Sequence, residues 1–452
     1  MLTYELKKAP GLPLYESLYR YIRDDILSGK LSPGEKLPSK RTLCTNLKVS
    51  KITVEGAYNE LLSEGYIRSV EKVGYFVETI QRTAPQPSLS HSPAPQPDDR
   101  LDLSGGRPAR FPFSVWSKLM REVMLDLGEQ LMLESPNQGL LSLRQAIANH
   151  LSQFRGMQVD PENILIGAGT DFLYNLLVQL LGPDKIYAVE EPGYGKIRRI
   201  YGAAGAACVS APLDGQGVRP DSLHKAQVLH ISPSHHFPTG IVTPLARRQA
   251  LLSWAAEQPD RWIIEDDYDS EFRFAAHPLP TMQTLDSSKV IYMNTFSQTL
   301  APSIRISYMV LPPALMAQFR KTLGFYSCTV PSFEQHTLAR FLERGYFEKH
   351  INRMRKYYKT RRDRVLAALS PLQDRITIQE QDAGLHFIAK VNTTLADKTL
   401  VEQLDLAGIR VRALSGYYQG PAPLSADHCL VVNYAGLTDD QLTLLEEKLK
   451  NI

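Results

Sequence analysis

The sequence predicts an α/β protein in two parts. A small N-terminal winged helix-turn-helix precedes a large domain with a mostly parallel sheet and an α+β part at its end. Three observations predict this. Two short helical stretches, each preceded by a serine, are separated by only a few residues. A proline-rich break, IQRTAPQPSLSHSPAPQPDDR, occupies residues 80–100. From residue 101 to 452, β-rich apolar runs alternate with helical stretches. The chain has 452 residues, 43% hydrophobic and 22% charged, which is the composition of a soluble protein of two or three domains. No apolar leader opens it and no run is long enough to cross a bilayer, which predicts a cytoplasmic protein without a membrane partner. Cys44, Cys208, Cys328 and Cys429 are scattered without ligand spacing, so they read as buried small apolar residues rather than metal ligands or a disulfide framework.

Within residues 1–79, PLYESLYRYIRDDILSG places Leu14, Leu18, Tyr21, Ile22 and Ile26 at helical spacing, between Pro13 and Gly29. Ser39 before KRTLCTNL and Ser50 before KITVEGAYNELLSEG can each cap a helix, and the turn between them falls near Lys48 and Val49. YIRSVEKVGYFVET then reads as two strands turning near Glu71 to Gly74, a wing beside the second of these helices. Lys51 and Thr53 fall in the first turn of that helix, where a major-groove helix meets bases and phosphates. Lys40, Arg41 and Lys72 are candidate phosphate contacts, and the turn at Gly74 is slim enough to approach a minor groove. Charge alone gives little support, since residues 1–80 hold 12 Lys and Arg against 10 Asp and Glu, a net +2. The whole stretch, including PSKR, resembles the winged helix-turn-helix of GntR-superfamily regulators, which implies operator DNA as a partner and places Arg41 at a DNA-contacting position.

The linker at 80–100 cannot bury a core. In an extended polyproline conformation it could reach roughly 60 Å. Beyond it, ENILIGAG, KIYAVEE, AACVSA, VLHIS, RWIIEDD, KVIYMNT and IRISYMVL read as strands, and segments such as TDFLYNLLVQLL and LARRQALLSWAAEQ as helices. Helical stretches around 332–369 precede LHFIAKV, IRVRAL, CLVVNYAG and a last helix. Five motifs carry chemistry. GAGTDFL turns from strand to helix, where backbone N–H groups of Gly169, Thr170 and Asp171 can hold a phosphate. EEPGY supplies Tyr194, and SPSHHFPTG supplies a loop ending in Pro238, Thr239 and Gly240. IIEDDYDSEF sets three acids at a strand end, costly to bury without a partner such as a protonated pyridine nitrogen. TFSQTLAPSIR offers Thr295 and Arg305, the latter suited to a bidentate phosphate grip.

Together these motifs resemble the fold-type I, aspartate-aminotransferase-like family of pyridoxal 5'-phosphate enzymes. Fusion to a GntR-type head resembles the MocR subgroup, particularly GabR-like regulators. The resemblance implies a homodimer. It also implies Asp266 on the pyridine nitrogen, Tyr268 on the ring oxygen, Tyr194 against the ring, and Thr295 and Arg305 on the phosphate side. Phe237 stands where the family carries the Asn of NPTG, and Gly416 where GABA-sensing members carry a carboxylate-binding arginine. Gln298 stands where the family carries its Schiff-base lysine. An amide is not a nucleophile and forms no imine, so the expected protein is not an enzyme. Lys289 and Lys321 lie outside the motif.

A natural or engineered replacement in an intact pocket would leave non-covalent binding of pyridoxal phosphate, pyridoxamine phosphate or a preformed external aldimine. A decaying pocket would serve dimerisation alone. Retention of Asp266, Tyr268, Tyr194 and Arg305 favours the first. The reading is a DNA-binding transcription regulator whose second domain senses pyridoxal phosphate or a linked amino compound. Its alternatives are an aminotransferase with a DNA-binding appendage and a constitutive DNA-binding dimer.

Overall fold

The computed structural model describes residues 4, 13–79, 100–105, 110–272, 279–379 and 384–450. Contacts divide the chain into two compact units, Met1–Pro97 and Asp98–Ile452. All of the proline-rich segment except Arg100 lies outside the described residues.

In the first unit, α1 (Leu14–Ser28) ends at Gly29 with φ 81°, a left-handed conformation that glycine adopts without a Cβ clash. In α2 (Lys40–Leu47) the Ser39 hydroxyl accepts the Thr42 N–H at 3.1 Å, and in α3 (Lys51–Ser63) Ser50 accepts that of Thr53 at 3.2 Å. Both caps satisfy backbone donors that a helix start leaves open. The turn between them passes through Lys48 at φ 53°. Leu18, Ile22, Leu43, Val54, Ala57, Tyr58 and Leu61 are fully buried and form the core of this unit. Strands β1 (Ile67–Val70) and β2 (Gly74–Val77) pair antiparallel, Val70 opposite Gly74, and form the expected wing.

The second unit begins with β3 (Leu101–Asp102), which pairs in parallel with β14 (Ile409–Arg410). Beside it, Arg100 Nη1 lies 2.8 Å from both carboxylate oxygens of Asp405. The main sheet has eight strands: β4 (Ile164–Gly167), β5 (Ile186–Glu191), β6 (Ala207–Asp214), β7 (Gly217–Val218), β8 (Val228–Ile231), β9 (Trp262–Asp266), β10 (Val290–Thr295) and β11 (Ser307–Val310). Their order is β4-β11-β10-β9-β8-β5-β6-β7. The run from β10 through β6 is parallel, while β11 is antiparallel to both of its neighbours and β7 to β6. Helices cover both faces, so the central strands are apolar on both sides. Leu173, Leu177 and Phe319 pack against Ile264, Ile291 and Met293 on one face, and Leu251 and Trp254 against Leu229, Ile263 and Val290 on the other.

A third core joins the helices Leu141–Arg155, Ser332–Glu343 and Tyr346–Leu369 to a smaller sheet. That sheet holds β12 (Ile376–Gln379), β13 (His386–Val391), β15 (Arg412–Ala413) and β16 (Cys429–Asn433). The run IRVRAL, expected as one strand, divides at Val411, since β14 serves β3 while β15 serves β16. The cysteines also depart from expectation. Only Cys429 is buried, while Cys44, Cys208 and Cys328 are half-buried and all four are free. Among the described residues, no helix is long and apolar enough to cross a membrane and no group of side chains could hold a metal ion.

Candidate functional site

Parallel strands deliver their carboxyl ends to one edge of a sheet, and ligands bind there. Here β5 ends in Glu190 and Glu191, β8 leads into Ser232, β9 ends at Asp266 and β10 at Thr295. A cavity of about 380 Å³ opens on this edge, lined by Thr170, Tyr194, Asp266, Tyr268, Thr295, Gln298 and Arg305 among others. Residues far apart in the chain, singled out by motif, therefore share one chamber.

The three acids of IIEDDYDSEF separate by partner. Glu265 accepts the backbone N–H groups of Met282 and Gln283 at 2.9 and 3.0 Å. Asp267 receives Tyr292 at 2.7 Å and Ser270 at 2.8 Å, with Arg155 at 3.0 Å. Asp266 alone faces the cavity. Its Oδ2 accepts the Tyr174 hydroxyl at 2.5 Å and lies 3.4 Å from His230 Nε2, whereas its Oδ1 is buried without a hydrogen-bond partner among the described residues. Buried carboxylate oxygens are normally satisfied, so an unpaired one aimed at a cavity marks a place for a donor. Asp267 Oδ1 is also unpaired, but it does not line the chamber. Burial, reinforced by the charge of Asp266, holds the Tyr174 phenol well above its usual range, which keeps it a donor.

At the other end, Arg305 has φ 48° and places Nη2 3.3 Å from the Ala168 carbonyl and 3.4 Å from Asp171. Gly169, at φ 89°, permits this approach, because a Cβ there would stand 2.2 Å from Arg305 Nη2. The expected role of Gly169 as a phosphate donor is corrected: its N–H already donates to the Gly167 carbonyl at 2.8 Å, and its contribution is space. Asp171 is committed to Lys196 at 2.6 Å. Thr170 opens the helix Thr170–Leu181 at the cavity wall. Thr295 Oγ1 accepts the Ser297 N–H at 3.1 Å and the Ser307 hydroxyl at 2.7 Å, while the Ser297 hydroxyl is buried and unpaired. Tyr268 reaches His235 Nδ1 at 3.3 Å, and Asp269 holds the same nitrogen at 2.8 Å.

Gln298 lines the chamber and makes no hydrogen bond with the described residues, none of whose lysines joins it in the lining. Lys289 points elsewhere, donating to the carbonyls of Gln258 and Pro259 at 2.7 and 3.0 Å. A second, more open cavity of about 980 Å³ shares Ser104, Tyr194 and Phe237 with the first and is lined also by Arg412, Gly416 and Tyr417. Arg412 is exposed there, and a Cβ on Gly416 would meet nothing within 4 Å.

Glu190 lines the first cavity and accepts the Ser232 N–H at 2.9 Å. Burial pushes its carboxyl up from 4.5 to about 8, so the folded state keeps a proton that the unfolded chain releases. Stability contributed by this group then falls as pH rises from 4.5 to 8, at about 1.4 kcal/mol per pH unit for one proton. Glu190→Gln is expected to be more stable than wild type at pH 8, with the advantage gone at pH 4.5. Thermal unfolding of both proteins across that range checks it.

In the first unit Arg41 is exposed, Lys51 is 75% exposed and Lys72 is 89% exposed. Two other expected contacts are engaged internally: Lys40 sits over the Tyr75 ring at 5.4 Å, and the Thr53 hydroxyl is 2.9 Å from that of Ser50. Gly74 adopts φ 134°, and a Cβ there would crowd Lys36 at 3.2 Å. Sequence reasoning passed over Ile52, 80% exposed in the first turn of α3. Its signal was available, because Ile52 falls outside the buried series Val54, Ala57, Tyr58 and Leu61. Tyr174, Glu190, His230 and Ser297 were also missed. Only Tyr174, four residues after Thr170 on the same helix face, could have been found by spacing.

Two family models match the chain: "Bacterial regulatory proteins, gntR family" over residues 14–77 and "Aminotransferase class I and II" over 98–449. The HTH-type transcriptional regulator YdeL of Bacillus subtilis is 35% identical, over 99% of this chain and 98% of its own. The HTH-type pyridoxine biosynthesis transcriptional regulator PdxR of Corynebacterium glutamicum is 33% identical, over 94% and 92%. Among solved structures, Pyrococcus horikoshii kynurenine aminotransferase superposes with a TM-score of 0.66 at 26% identity, covering 78% of this chain and 91% of that one. The winged head, the sheet-edge cavity and full-length similarity to regulators agree: the chain belongs to the MocR-type transcriptional regulators, DNA-binding proteins that join a GntR-family head to an aminotransferase class I and II domain.

Proposed function

We propose that the second unit binds pyridoxal phosphate, or a closely related vitamer or amine adduct, without a covalent bond, and that occupancy changes how the regulator holds operator DNA. The observation that carries this is the unpaired Oδ1 of Asp266 in the cavity wall. A pyridine N–H would satisfy it, and the charge-assisted bond would keep the ring protonated. The helix start at Thr170, the Ser297 hydroxyl and Arg305 offer an anion cradle at the opposite end. Tyr268 is placed to meet the ring oxygen and Tyr194 the ring face. When bound, pyridoxal phosphate supplies an electron-withdrawing ring and an amine-reactive aldehyde. Gln298 offers that aldehyde only an amide, and this supports a sensor over an aminotransferase. The printed name of the relative PdxR, a pyridoxine biosynthesis regulator, points to the same vitamin family.

On the DNA side, Lys51 and Ile52 at the start of α3 would meet base edges, Ile52 reaching a thymine methyl, while Arg41, Lys72 and the wing turn at Gly74 would meet the backbone. A homodimer would set two heads on one operator. Ligand-linked regulation requires that the ligand prefer one arrangement over the other, an effect typically of 5–150-fold. Affinity and footprint on promoter DNA, measured with and without saturating pyridoxal phosphate, are expected to differ by at least about fivefold. Identical values in both conditions would remove the sensing role.

A further inference from the structure

The helix Tyr346–Leu369 carries eight Lys and Arg against two acids, a net +6 on a chain whose total is +3. Half of these cations are used within the fold. Arg361 pairs with Asp439 at 3.2 Å, Arg362 with Asp363 at 2.8 Å and Arg364 with Glu446 at 2.9 Å, while Arg355 donates to the Glu271 carbonyl. The other four, Lys349, Arg353, Lys356 and Lys359, are exposed and form no ion pair among the described residues. Their steps of 4, 3 and 3 residues set them on one face of the helix. Arg110, also exposed, lies over the neighbouring Tyr357 ring at 5.0 Å and extends the same band of charge.

A solvated helix face normally interleaves both signs, and like charges at this spacing oppose helix formation. This stripe holds four cations over about 15 Å of helix axis with no acid between them. Duplex DNA presents one negative charge per roughly 1.7 Å, so a stripe of that length meets several phosphates without base contacts. The head supplies little long-range attraction, with 12 cations against 10 acids in residues 1–80. We propose that the outward face of this helix is a second DNA-binding surface, gripping the backbone beside the sequence that the winged head reads. It does not depend on the cavity being occupied.

The test uses the full chain and a labelled mixed-sequence duplex of about 60 base pairs, with affinity measured across a salt series. In one variant Lys349→Gln, Arg353→Gln, Lys356→Gln and Lys359→Gln are combined. In a second, Lys349→Arg, Arg353→Lys, Lys356→Arg and Lys359→Arg keep the charge. The neutral variant is expected to lose at least about tenfold in affinity near 0.1 M salt, and its log–log salt slope should become shallower by about 3 to 4, at 0.9 per phosphate released. The charge-keeping variant should match wild type on both readouts. A neutral variant with the wild-type slope and affinity overturns the proposal, as would be found for a face built to meet an acidic protein. Equal loss in both variants overturns it as well, because the effect would then not follow charge.

Discussion

Gln298→Lys, incubated with pyridoxal phosphate and reduced with borohydride, is expected to gain the mass of one ligand per chain, while the wild-type protein gains none at this position. An absorption band in the visible range should accompany capture only in the variant. The reasoning starts from geometry. Gln298 borders the same cavity as Asp266, Tyr268, Thr295 and Arg305, and it has no hydrogen bond there that a lysine would have to break. A lysine in this low-exposure setting, near the Asp266 carboxylate, has a nucleophilic amine in reach of the ligand. Affinity should rise with it by roughly a hundredfold, about 2.7 kcal/mol, since a bond is added to contacts that already exist. If lysine there captures nothing, the cavity is not shaped for this ligand.

The second large effect is expected from Asp266→Asn, which keeps shape and removes charge. Hydrogen bonds to charged groups contribute about 1.5–3 kcal/mol, so non-covalent pyridoxal phosphate binding should weaken by roughly 10- to 150-fold. Tyr174 can still donate to the amide oxygen, which keeps the loss local, and DNA affinity without ligand should be unchanged. Isothermal titration of the two proteins decides it. Equal dissociation constants would mean that the unpaired oxygen of Asp266 meets no ligand atom.

Much of this molecule was legible in its sequence, for reasons that differ by region. The serine caps at Ser39 and Ser50 act on N–H groups three residues away, and the apolar strands of the sheet read as continuous runs because both faces are covered. Local rules sufficed there. The cavity residues were legible by motif, but their division of labour was not. Nothing local says that Glu265 and Asp267 find partners on other segments while Asp266 keeps one oxygen free. That depends on Tyr174, His230, Arg155 and Tyr292, brought in from elsewhere in the chain. The role of Gly169 was misread for the same reason, because the constraint comes from Arg305, 136 positions later. The division of IRVRAL between two sheets likewise follows from the partner strands rather than from the run itself.

The pairing of Leu101–Asp102 with Ile409–Arg410, clasped by Arg100 and Asp405, fixes where the tether to the winged head is rooted. Three residues farther on, Ser104 and Gly105 already border the ligand chamber. A swing of the carboxyl-terminal layer would therefore drag that root along. Chamber and leash share one hinge, and a small molecule seated at Ser104 would pull on the cord at its point of attachment.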